Sequence, residues 1–257
     1  FGYNGSERFA KDERYGFFPS AGLGWILSNE DFFADALPFV SLFKLRYTYG
    51  LVGNDGISSD QDRFFYLSDV SFNDGSRGYS FGEDYNNYFN GYNINRYSNP
   101  EVTWEVATKE NYALELEFAE KLMIQFEYFK EHREQIYQPW QFVPDTNGLT
   151  AGISSNIGEV EAEGIDLSVD YNQAFASGLI LSARGNFTYS TNEIKVNGEP
   201  DYPYDYLSRV GHPINQDWGL IAERLFIDEA DILNSPEQFN GISSANNAYL
   251  PGDIKYK

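Results

Sequence analysis

The chain has 257 residues and no cysteine, which excludes disulfides and thiolate metal sites. Its 39 acidic residues outnumber 18 basic residues and give a formal net charge of -21. This balance argues against a nucleic-acid partner, because phosphate contacts need lysine and arginine. Aromatic residues make up 18% of the chain, which is typical of a sheet that meets both hydrocarbon and lipid headgroups.

Long stretches in which every second residue is apolar predict β-strands with one apolar and one polar face. The first runs from Tyr15 to Leu27. The others, in chain order, are Ser41 to Val52, Trp104 to Phe118, Leu122 to about Ile136, Val160 to Tyr171 and Leu179 to Tyr189. Soluble strands usually have about 5 to 6 residues, whereas a strand tilted across a bilayer needs about 9 to 11. The pattern predicts an all-β fold, namely part of an antiparallel transmembrane β-barrel.

The connections between these strands alternate in length. Short turns are predicted at Ala119 to Lys121 and around Ala174 to Ser177. Long polar connections are predicted near residues 53–103, 137–159 and 191–213. Outer-membrane barrels have short periplasmic turns and long external loops, so we expect the long connections to face the cell exterior.

Two connections carry predicted structure of their own. Ser28 precedes a run of acidic residues and is the expected N-cap of a short helical turn on the periplasmic side. The connection near 53–103 contains aromatic segments separated by turn signals at 54–56 and 73–75. It is too long for a passive linker, so we expect an ordered external excursion that is partly a β-hairpin.

The register of one hairpin can be predicted from its pattern. The apolar residues before and after the turn share a face only if the turn holds an odd number of residues, which the turn 119–121 satisfies. The expected pairs are Phe118 with Leu122, Leu116 with Ile124, Leu114 with Phe126 and Tyr112 with Tyr128. The next pair, Glu110 and Lys130, is then expected to form a cross-strand ion pair at the outer headgroup level.

Charged side chains occupy the opposite face of the predicted strands. Such a row is tolerated only against water or polar protein, so these residues are expected to face the barrel lumen. The residues predicted to do so are Glu115, Glu117, Arg133, Asp166 and Arg184.

Several sequence blocks resemble the SusC-like TonB-dependent transporters and follow that family's order. They are Gly5 to Leu27, Phe43 to Asn54, Asn99-Pro100 with Trp104-Glu105, Asn156 to Ile165, Asn186 to Ile194, Gly211 to Pro213 and Pro251 to Lys257. The resemblance implies a plug domain inside a barrel of about 22 strands. It also implies import of oligosaccharides or peptides across the bacterial outer membrane, under a SusD-like surface lipoprotein and powered by TonB.

The resemblance further implies that residues 1–257 form part of this barrel with its external loops, and that no plug domain lies in them. Phe1 and Lys257 both fall within the pattern, so we expect an internal segment. TonB would act through the absent plug region. The remaining barrel and plug segments and the outer-membrane lipid are the other expected partners.

Aromatic residues in the predicted external segments are the best candidates for ligand binding, because flat rings beside amides and carboxylates suit sugar or peptide ligands. The candidates are Asp84, Tyr85, Tyr88, Tyr92, Tyr137, Trp140 and Phe142. The alternative is that these rings pack the loops together or form the outer aromatic girdle.

The sequence gives no positive reason to expect an enzyme, a resident cofactor or a metal centre. His132 and His212 are isolated, and nucleophile and phosphate-binding motifs are missing from the sequence. Stretches rich in aspartate could bind Ca²⁺ in external loops, although the same residues are common in turns. These stretches are residues 54–56, 60–62, 73–75 and 145–148.

Two other functions fit parts of the pattern. A soluble all-β carbohydrate-binding module would also have aromatic loops and acidic charge, but its strands would be shorter. An open diffusion porin would share the strands and lack the plug.

Overall fold

The computed structural model describes residues 1–57, 63–64, 66–236, 238 and 249–256. It divides into two compact units, Phe1–Ile214 and Asn215–Lys257. Among the described residues, every helix is too short or too polar to cross a bilayer.

The fold is almost entirely antiparallel β-structure. The strands in chain order are β1 (Gly2–Gly5), β2 (Tyr15–Phe18), β3 (Ser20–Ile26), β4 (Val40–Asn54), β5 (Asp69–Phe81), β6 (Asn87–Arg96), β7 (Glu105–Phe118), β8 (Leu122–Pro139), β9 (Ser154–Ala174), β10 (Ile180–Val196), β11 (Ala222–Leu225) and β12 (Ile254–Tyr256). The first unit is built on a six-stranded sheet in the order β10-β9-β8-β7-β4-β3. The predicted all-β antiparallel architecture is confirmed.

The register of the β7–β8 hairpin is the predicted one. All predicted pairs from Phe118 with Leu122 to Glu110 with Lys130 are observed. In the turn, Ala119 and Glu120 have φ angles of 50° and 55°, and the Lys121 N–H donates to the Phe118 carbonyl at 3.0 Å. Both positive φ values are those of a hairpin turn that follows the right-handed twist of its strands.

The second predicted hairpin, β9–β10, also has the expected faces. Its polar pairs are Asp166 with Thr188, Ser168 with Asn186, Asp170 with Arg184 and Asn172 with Ser182. Leu179, which the sequence pattern places in the strand, lies outside it and accepts a hydrogen bond from the Phe175 N–H at 2.8 Å. The turn is therefore slightly later than predicted.

The predicted strand from Tyr15 to Leu27 is interrupted at Pro19. Its first part, β2, pairs with β1, whereas its second part, β3, pairs with β4. Proline has no N–H to continue a ladder, and the Pro19 carbonyl instead accepts a bond from the Leu51 N–H at 2.9 Å. The parity is the predicted one, because Phe17 is exposed like Leu23 and Trp25, whereas Phe18 is buried.

The pairing places side chains of neighbouring strands in continuous rows across the sheet. We define the apolar face by three of these rows, which are Phe43–Leu116–Ile124–Val169, Leu45–Leu114–Phe126–Leu167–Phe187 and Tyr47–Tyr112–Tyr128–Ile165–Tyr189. The last is called the tyrosine row. The alternate positions of the same strands form the polar face. Beyond the tyrosine row, β9 extends back to Ser154, so a long part of this strand lies past it.

A small core lies at the far end of the sheet from the short turns. Phe9, Phe18, Val102 and Trp104 are buried together, and Phe9 and Phe18 each lie 5.3 Å from Trp104 between ring centroids. The sequence pattern places Trp104 on the apolar face of the sheet. The structure instead covers it with the chain's own residues, and it is only 7% exposed.

Asn156 holds the start of β9 against two other segments. Its amide donates to the Thr103 carbonyl at 2.9 Å and to the Gln135 carbonyl at 2.8 Å, and its side-chain oxygen accepts the Thr103 N–H at 3.1 Å. Gln135 has a φ of 58° and lies where the β8–β9 register shifts. One asparagine therefore stabilises an irregular point of the ladder.

The connection between β3 and β4 contains the predicted helical turn, α1 (Asp31–Ala36). Its N-cap is Glu30 rather than Ser28, because Ser28 lies in a preceding 3-10 turn, Leu27–Asn29. Glu30 also accepts a bond from the indole N–H of Trp25 at 3.0 Å.

The connection near 53–103 contains the predicted hairpin, formed by β5 and β6, with several register shifts along its length. The connections near 137–159 and 191–213 are shorter than predicted. The cause is that β8 continues to Pro139, β9 begins at Ser154 and β10 continues to Val196.

The second unit contains β11 and β12, which pair with each other, and the helix α2 (Glu229–Asn234). Phe226, Ile232 and Tyr249 form its core. Asp228 caps the helix by accepting the Asp231 N–H at 2.8 Å. Hydrogen bonds from the Arg224 guanidinium and the Ile227 N–H hold the pKa of Asp231 well below its usual range.

Candidate functional site

The polar face of the sheet carries ion pairs between different strands. Lys44 on β4 lies 3.0 Å from Glu115 on β7. Arg46 lies 2.6 Å from Glu127 on β8, which also accepts a bond from the Asn111 amide at 2.9 Å. The charges in this part of the face are thus matched across three strands.

A second group of charges lies on the same face, nearer the far end of the strands from the short turns. Arg133 lies 2.6 Å from Glu131 and 2.8 Å from Glu105, and Lys109 lies 3.0 Å from Glu131. Glu105 is only 8% exposed. A buried carboxylate of this kind is stable only when it is paired. Arg133 is therefore needed to stabilise the negative charge of Glu105.

The residues predicted to face the lumen all lie on the polar face. Glu115 and Arg133 are in the groups just described, and Arg184 pairs with Asp170. Within the part of the chain that the structure describes, Glu117 and Asp166 have no ion-pair partner. Asp166 lies beside Gln125, Ser168 and Asn186 in an open polar pocket.

The tyrosine row ends the apolar face. The rings of Tyr47 and Tyr112 are 4.7 Å apart, and those of Tyr112 and Tyr128 are 6.1 Å apart. Their next neighbours on the same face form what we call the charged row: Tyr49, Glu110, Lys130, Glu163 and Thr191. Apolar side chains therefore give way to charged ones within one row on β7, β8 and β9.

The prediction of an ion pair between Glu110 and Lys130 is wrong. The residues are opposite each other in the register, yet no ion pair joins them in the described residues. The Tyr112 hydroxyl donates to Glu110 at 2.9 Å, and the Tyr128 hydroxyl donates to Glu163 at 2.7 Å. The carboxylates on either side of Lys130 are thus engaged by the tyrosine row.

An open groove of 540 Å³ lies on the apolar face below these tyrosines. Its lining is formed mainly by Leu23, Trp25, Leu45, Leu114 and Phe126, with Tyr47, Tyr112 and Tyr128 at its upper end. No sequence signal marks this groove, because it depends on the different sizes of side chains on neighbouring strands.

The predicted ligand-binding aromatics fall into separate places. Trp140 and Phe142 follow β8 and lie together, with ring centroids 4.8 Å apart. The Trp140 indole donates to the Ser155 hydroxyl at 2.5 Å, and its backbone N–H to the Ile153 carbonyl at 2.8 Å. Tyr137 packs against the core around Trp104. The packing alternative is therefore the one observed for Tyr137.

The other candidates lie on the β5–β6 hairpin. Asp84 and Tyr85 are in its turn, where Tyr85 has a φ of 52° and is 70% exposed. Tyr92 is 69% exposed, and the Tyr88 hydroxyl donates to the Gly75 carbonyl. None of the ring contacts or hydrogen bonds found in the described ranges joins these rings to Trp140 or Phe142.

Sequence reasoning missed an aromatic cluster on the same hairpin. Phe81 lies 5.4 Å from Tyr79 and 5.8 Å from Phe89, and all three rings are largely exposed. The alternation of Tyr79 and Phe81 along β5 is the signal that could have identified it.

A carboxylate organises the loop after β10, and no motif predicts it. Glu199 accepts bonds from the Ser208 hydroxyl, the Asn197 amide at 3.0 Å, and the N–H groups of Arg209 at 3.1 Å and Val210 at 3.4 Å. Partial burial alone would raise its pKa, but these donors outweigh burial and lower the pKa of Glu199.

The proposed calcium-binding stretches differ from one another in structure, and the turn predicted at 73–75 is wrong, because these residues lie inside β5. Asn54 accepts the Gly56 N–H at 2.9 Å, and Asp74 accepts the Ser76 N–H at 2.7 Å. Residues 145–147 form a 3-10 turn, and residues 60–62 lie outside the described residues. No group of three or more potential metal ligands occurs in the ranges that are described. His132 lies 3.7 Å from Glu161 and 4.0 Å from Glu134.

No family model matches this chain. Curated proteins of similar sequence align with most of it. Over 218 residues, 83% of the chain, it is 29% identical to the TonB-dependent receptor SusC of Bacteroides thetaiotaomicron. Over 193 residues, 74% of the chain, it is 28% identical to the TonB-dependent receptor P39 of Formosa agariphila. The resemblance to the SusC-like TonB-dependent transporters is confirmed.

The fold is shared with part of a solved peptide importer. The chain superposes on the RagAB peptide importer in its closed-closed state with a TM-score of 0.64 and 21% sequence identity, over 89% of this chain and 24% of the other. The chain spans 20% of SusC and 17% of P39. It is thus similar to one segment of the SusC-like transporters.

Proposed function

We propose that this chain forms part of the wall and external loops of an outer-membrane importer driven by TonB. In this proposal the apolar face contacts lipid, the polar face lines the lumen, and the long connections lie outside the cell. The missing strands and the plug come from other segments of the barrel.

The observation that carries the proposal is the strict separation of the two faces. Leu114 and Phe126 lie on one face, while Glu115 and Glu127, one residue later on each strand, take part in ion pairs on the other. Burying a large apolar side chain away from water contributes about 1.5 to 3 kcal/mol, whereas a charge at the bilayer midplane costs about 2 to 4 kcal/mol. A sheet between lipid and a polar interior satisfies both sets of residues.

The open edges of the sheet support the same proposal. β3 and β10 are the outer strands of the six-stranded sheet. Unpaired backbone groups are not tolerated in lipid, so a membrane sheet must close into a barrel. Further strands therefore have to pair with both edges.

The ligand-binding role is assigned to the loop aromatics. The adjacent rings of Trp140 and Phe142 and the exposed rings of the β5–β6 hairpin suit either sugar or peptide faces. Relatives named SusC and RagAB favour a SusD-like lipoprotein as the external partner and oligosaccharides or peptides as cargo.

The proposal can be tested by isolating the tagged protein from outer membranes in mild detergent. We expect a surface lipoprotein to copurify, and the uptake of fluorescent oligosaccharide or peptide libraries by cells to require TonB. Recovery of the protein in aqueous buffer without detergent would instead support the soluble carbohydrate-binding module. Steady ion conductance of the purified barrel in a planar bilayer would support the diffusion porin.

The substitution Trp140→Ala tests the ligand-binding role. It removes the ring that lies against Phe142, and loss of one aromatic contact of about 1 kcal/mol predicts a several-fold weaker capture. Uptake of the same libraries measures the effect, and the yield of folded barrel serves as the control. Unchanged uptake would indicate that Trp140 serves packing and not ligand binding.

A further inference from the structure

We infer that residues 197–210, which we call the β10 loop, supply a second pair of rings to the ligand site at Trp140. Tyr204 and Tyr206 are these binding rings, and Glu199 is the residue that positions them. This inference rests on the proposed function, because it extends the ligand-binding role assigned there. The ligand chemistry that suits the rings is a chain of flat apolar faces with polar edges, which sugar rings and peptide side chains both present.

The first argument is that the β10 loop is docked on the end of β8 that carries Trp140. The Gln141 N–H donates to the Gly198 carbonyl at 2.7 Å. Gly198 is buried, and an added Cβ there would lie 2.6 Å from the Pro139 carbonyl oxygen and 2.9 Å from the Ile157 side chain. The backbone approach therefore needs glycine, and it fixes the start of the loop next to the proposed ligand site.

The second argument is that hydrogen bonds close the β10 loop on itself. At its base, the Ile194 N–H donates to the His212 carbonyl at 3.0 Å, and the Gly211 N–H donates to the Ile194 carbonyl at 2.8 Å. Inside it, the Glu199 carboxylate accepts the Ser208 hydroxyl and the N–H groups of the two residues that follow. One carboxylate thus joins the start of the loop to its return segment.

The third argument is the arrangement of the two tyrosines within the segment that Glu199 closes. The rings of Tyr204 and Tyr206 are 5.4 Å apart and within 15° of parallel, and the residues are 58% and 68% exposed. A 3-10 turn, Asp205–Leu207, lies between and after them. Tyr206 is two residues from Ser208, a span of at most about 7 Å, so the bonds to Glu199 hold the backbone next to the ring.

The exposure and the rigid support together favour binding over packing. Tyr137 shows the packing alternative, because it lies against the core around Trp104, whereas Tyr204 and Tyr206 leave most of their surface open. Rings that are already held in place lose less conformational freedom when a ligand binds. The donors around Glu199 also lower its pKa, so the carboxylate is ionised and can accept all these bonds at neutral pH.

The concentration dependence of uptake tests this inference in cells that express the complete transporter. The probes are the fluorescent oligosaccharide and peptide libraries used above. In the double variant Tyr204→Ala with Tyr206→Ala, the half-saturating concentration should rise about tenfold, because two aromatic contacts are lost. The maximal rate per folded barrel should be unchanged, since capture is altered and transport is not.

A mutant cycle distinguishes positioning from general stability. Glu199→Gln alone should raise the half-saturating concentration about fivefold, because it disturbs the hydrogen bonds that hold the loop. Combined with the loss of both tyrosines, it should add no further increase, since Glu199 acts through these rings. A carboxylate that only stabilised the protein would instead lower the barrel yield and leave the half-saturating concentration unchanged.

Matched variants control for other effects of these substitutions. Tyr3→Ala with Tyr15→Ala removes a similar parallel pair, 5.5 Å apart, from the β1–β2 hairpin, which leads into the opposite edge strand of the sheet, and should leave uptake unchanged. Gly198→Ala should act like Glu199→Gln, because it displaces the loop from β8. Gly152→Ala is its control, since a Cβ there would meet nothing within 4 Å.

An unchanged half-saturating concentration in the variant that lacks Tyr204 and Tyr206 would overturn the inference. So would independent, multiplying effects of that variant and of Glu199→Gln. If Trp140→Ala impairs uptake while the tyrosine variant does not, the second ring pair alone is contradicted. If the wild type imports neither library in a TonB-dependent manner, the proposed function itself fails.

Discussion

Adjacent residues in this chain are held in opposite environments, and single side chains therefore have large and different effects. The ion pairs of the polar face join partly exposed side chains within one strand or across one or two strand spacings. The apolar face shows large exposed side chains such as Leu45 and Phe126. The effect of a substitution on assembly should therefore depend mainly on which face of the sheet the side chain lies on.

Arginine substitutions on β7 test this parity. Leu114→Arg should strongly reduce barrel assembly, because arginine near the bilayer midplane costs about 2 to 4 kcal/mol. Glu117→Arg should assemble normally, since Glu117 lies on the polar face and has no ion-pair partner in the described residues. Heat-dependent mobility of the outer-membrane protein on gels measures assembly. Equal assembly of the two variants would contradict the assignment of faces.

A close backbone approach makes Gly53 another sensitive position. A Cβ atom there would lie 1.9 Å from the Phe18 ring, so Gly53→Ala should displace that ring from the core around Trp104. Overpacking of this kind costs about 1 to 3 kcal/mol. Increased quenching of tryptophan fluorescence by acrylamide checks the result. Gly185→Ala is the control, because its Cβ would meet nothing within 4 Å, and a similar change there would contradict the explanation.

At the scale of residues, individual side-chain contacts were the feature least predictable from the sequence. The register placed Glu110 opposite Lys130 correctly, but tyrosine hydroxyls one row away engage Glu110 and Glu163. Parity placed Trp104 on the apolar face, whereas Phe9, distant in sequence, covers it. Both outcomes depend on residues that a strand pattern does not relate to each other.

At the scale of elements, periodicity predicted most of the sheet. The alternation identified β4, β7, β8, β9 and β10, and the odd length of the turn 119–121 gave the register. It did not predict the break at Pro19, because the apolar alternation continues through the proline while the hydrogen bonding cannot. The predicted ends at Ile136 and Tyr189 also fall short of the observed ends at Pro139 and Val196.

The turn between β7 and β8 gives a prediction about element stability. Ala119 and Glu120 both adopt left-handed backbone angles, which cost non-glycine residues about 1 to 2 kcal/mol. The double substitution Ala119→Asn with Glu120→Gly should therefore stabilise the folded barrel by about 1 kcal/mol. Urea unfolding in detergent micelles measures this change.

The matched control for this turn is Gly178→Ala in the β9–β10 connection. Gly178 has a φ of 83°, and an added Cβ would meet nothing within 4 Å. Its substitution should destabilise by about 1 kcal/mol through backbone conformation alone. A stabilising Gly178→Ala, or a destabilising double substitution at the first turn, would contradict the argument.

The loop held by Glu199 should respond to pH. Its pKa is lowered in the folded protein from 4.5, so the stabilisation is present above that value and is lost as the pH falls through the lowered pKa. We expect hydrogen-exchange protection of the Arg209 and Val210 N–H groups to decrease in that range. In Glu199→Gln the protection of these N–H groups should already be lower at neutral pH. It should then change little as the pH falls through the range in which Glu199 of the wild type is protonated. Identical profiles for the two proteins would contradict this role.

At the scale of the whole molecule, the sheet cannot be complete by itself. Expressed alone, the chain should aggregate in water and form no heat-modifiable barrel, because β3 and β10 leave open edges beside a large apolar face. Sedimentation with and without detergent measures this outcome. A monodisperse species in aqueous buffer would contradict the membrane assignment.

The overall class was predictable because it depends on many residues at once. Strand length and sustained parity indicated a barrel wall, and the ordered blocks from Gly5 to Pro251 indicated the family resemblance that relatives over 83% of the chain confirm. The candidate site was less predictable. Trp140 and Phe142 do lie together, but the positions of the hairpin rings depend on bulges in β5 and β6, which no periodicity records.

The length of β9 beyond the tyrosine row has a consequence for transport. From Ser154 to Ile165 the strand covers about 36 Å along its length at about 3.3 Å per residue. Under the proposed function, the loop that carries Trp140 would therefore stand well away from the bilayer, and a molecule held there would still have to pass Arg133 and then Glu127 before it reached the midplane. The proposal thus predicts that capture and descent are separate stages, whose rates should vary independently in loop variants and in variants of the inner wall.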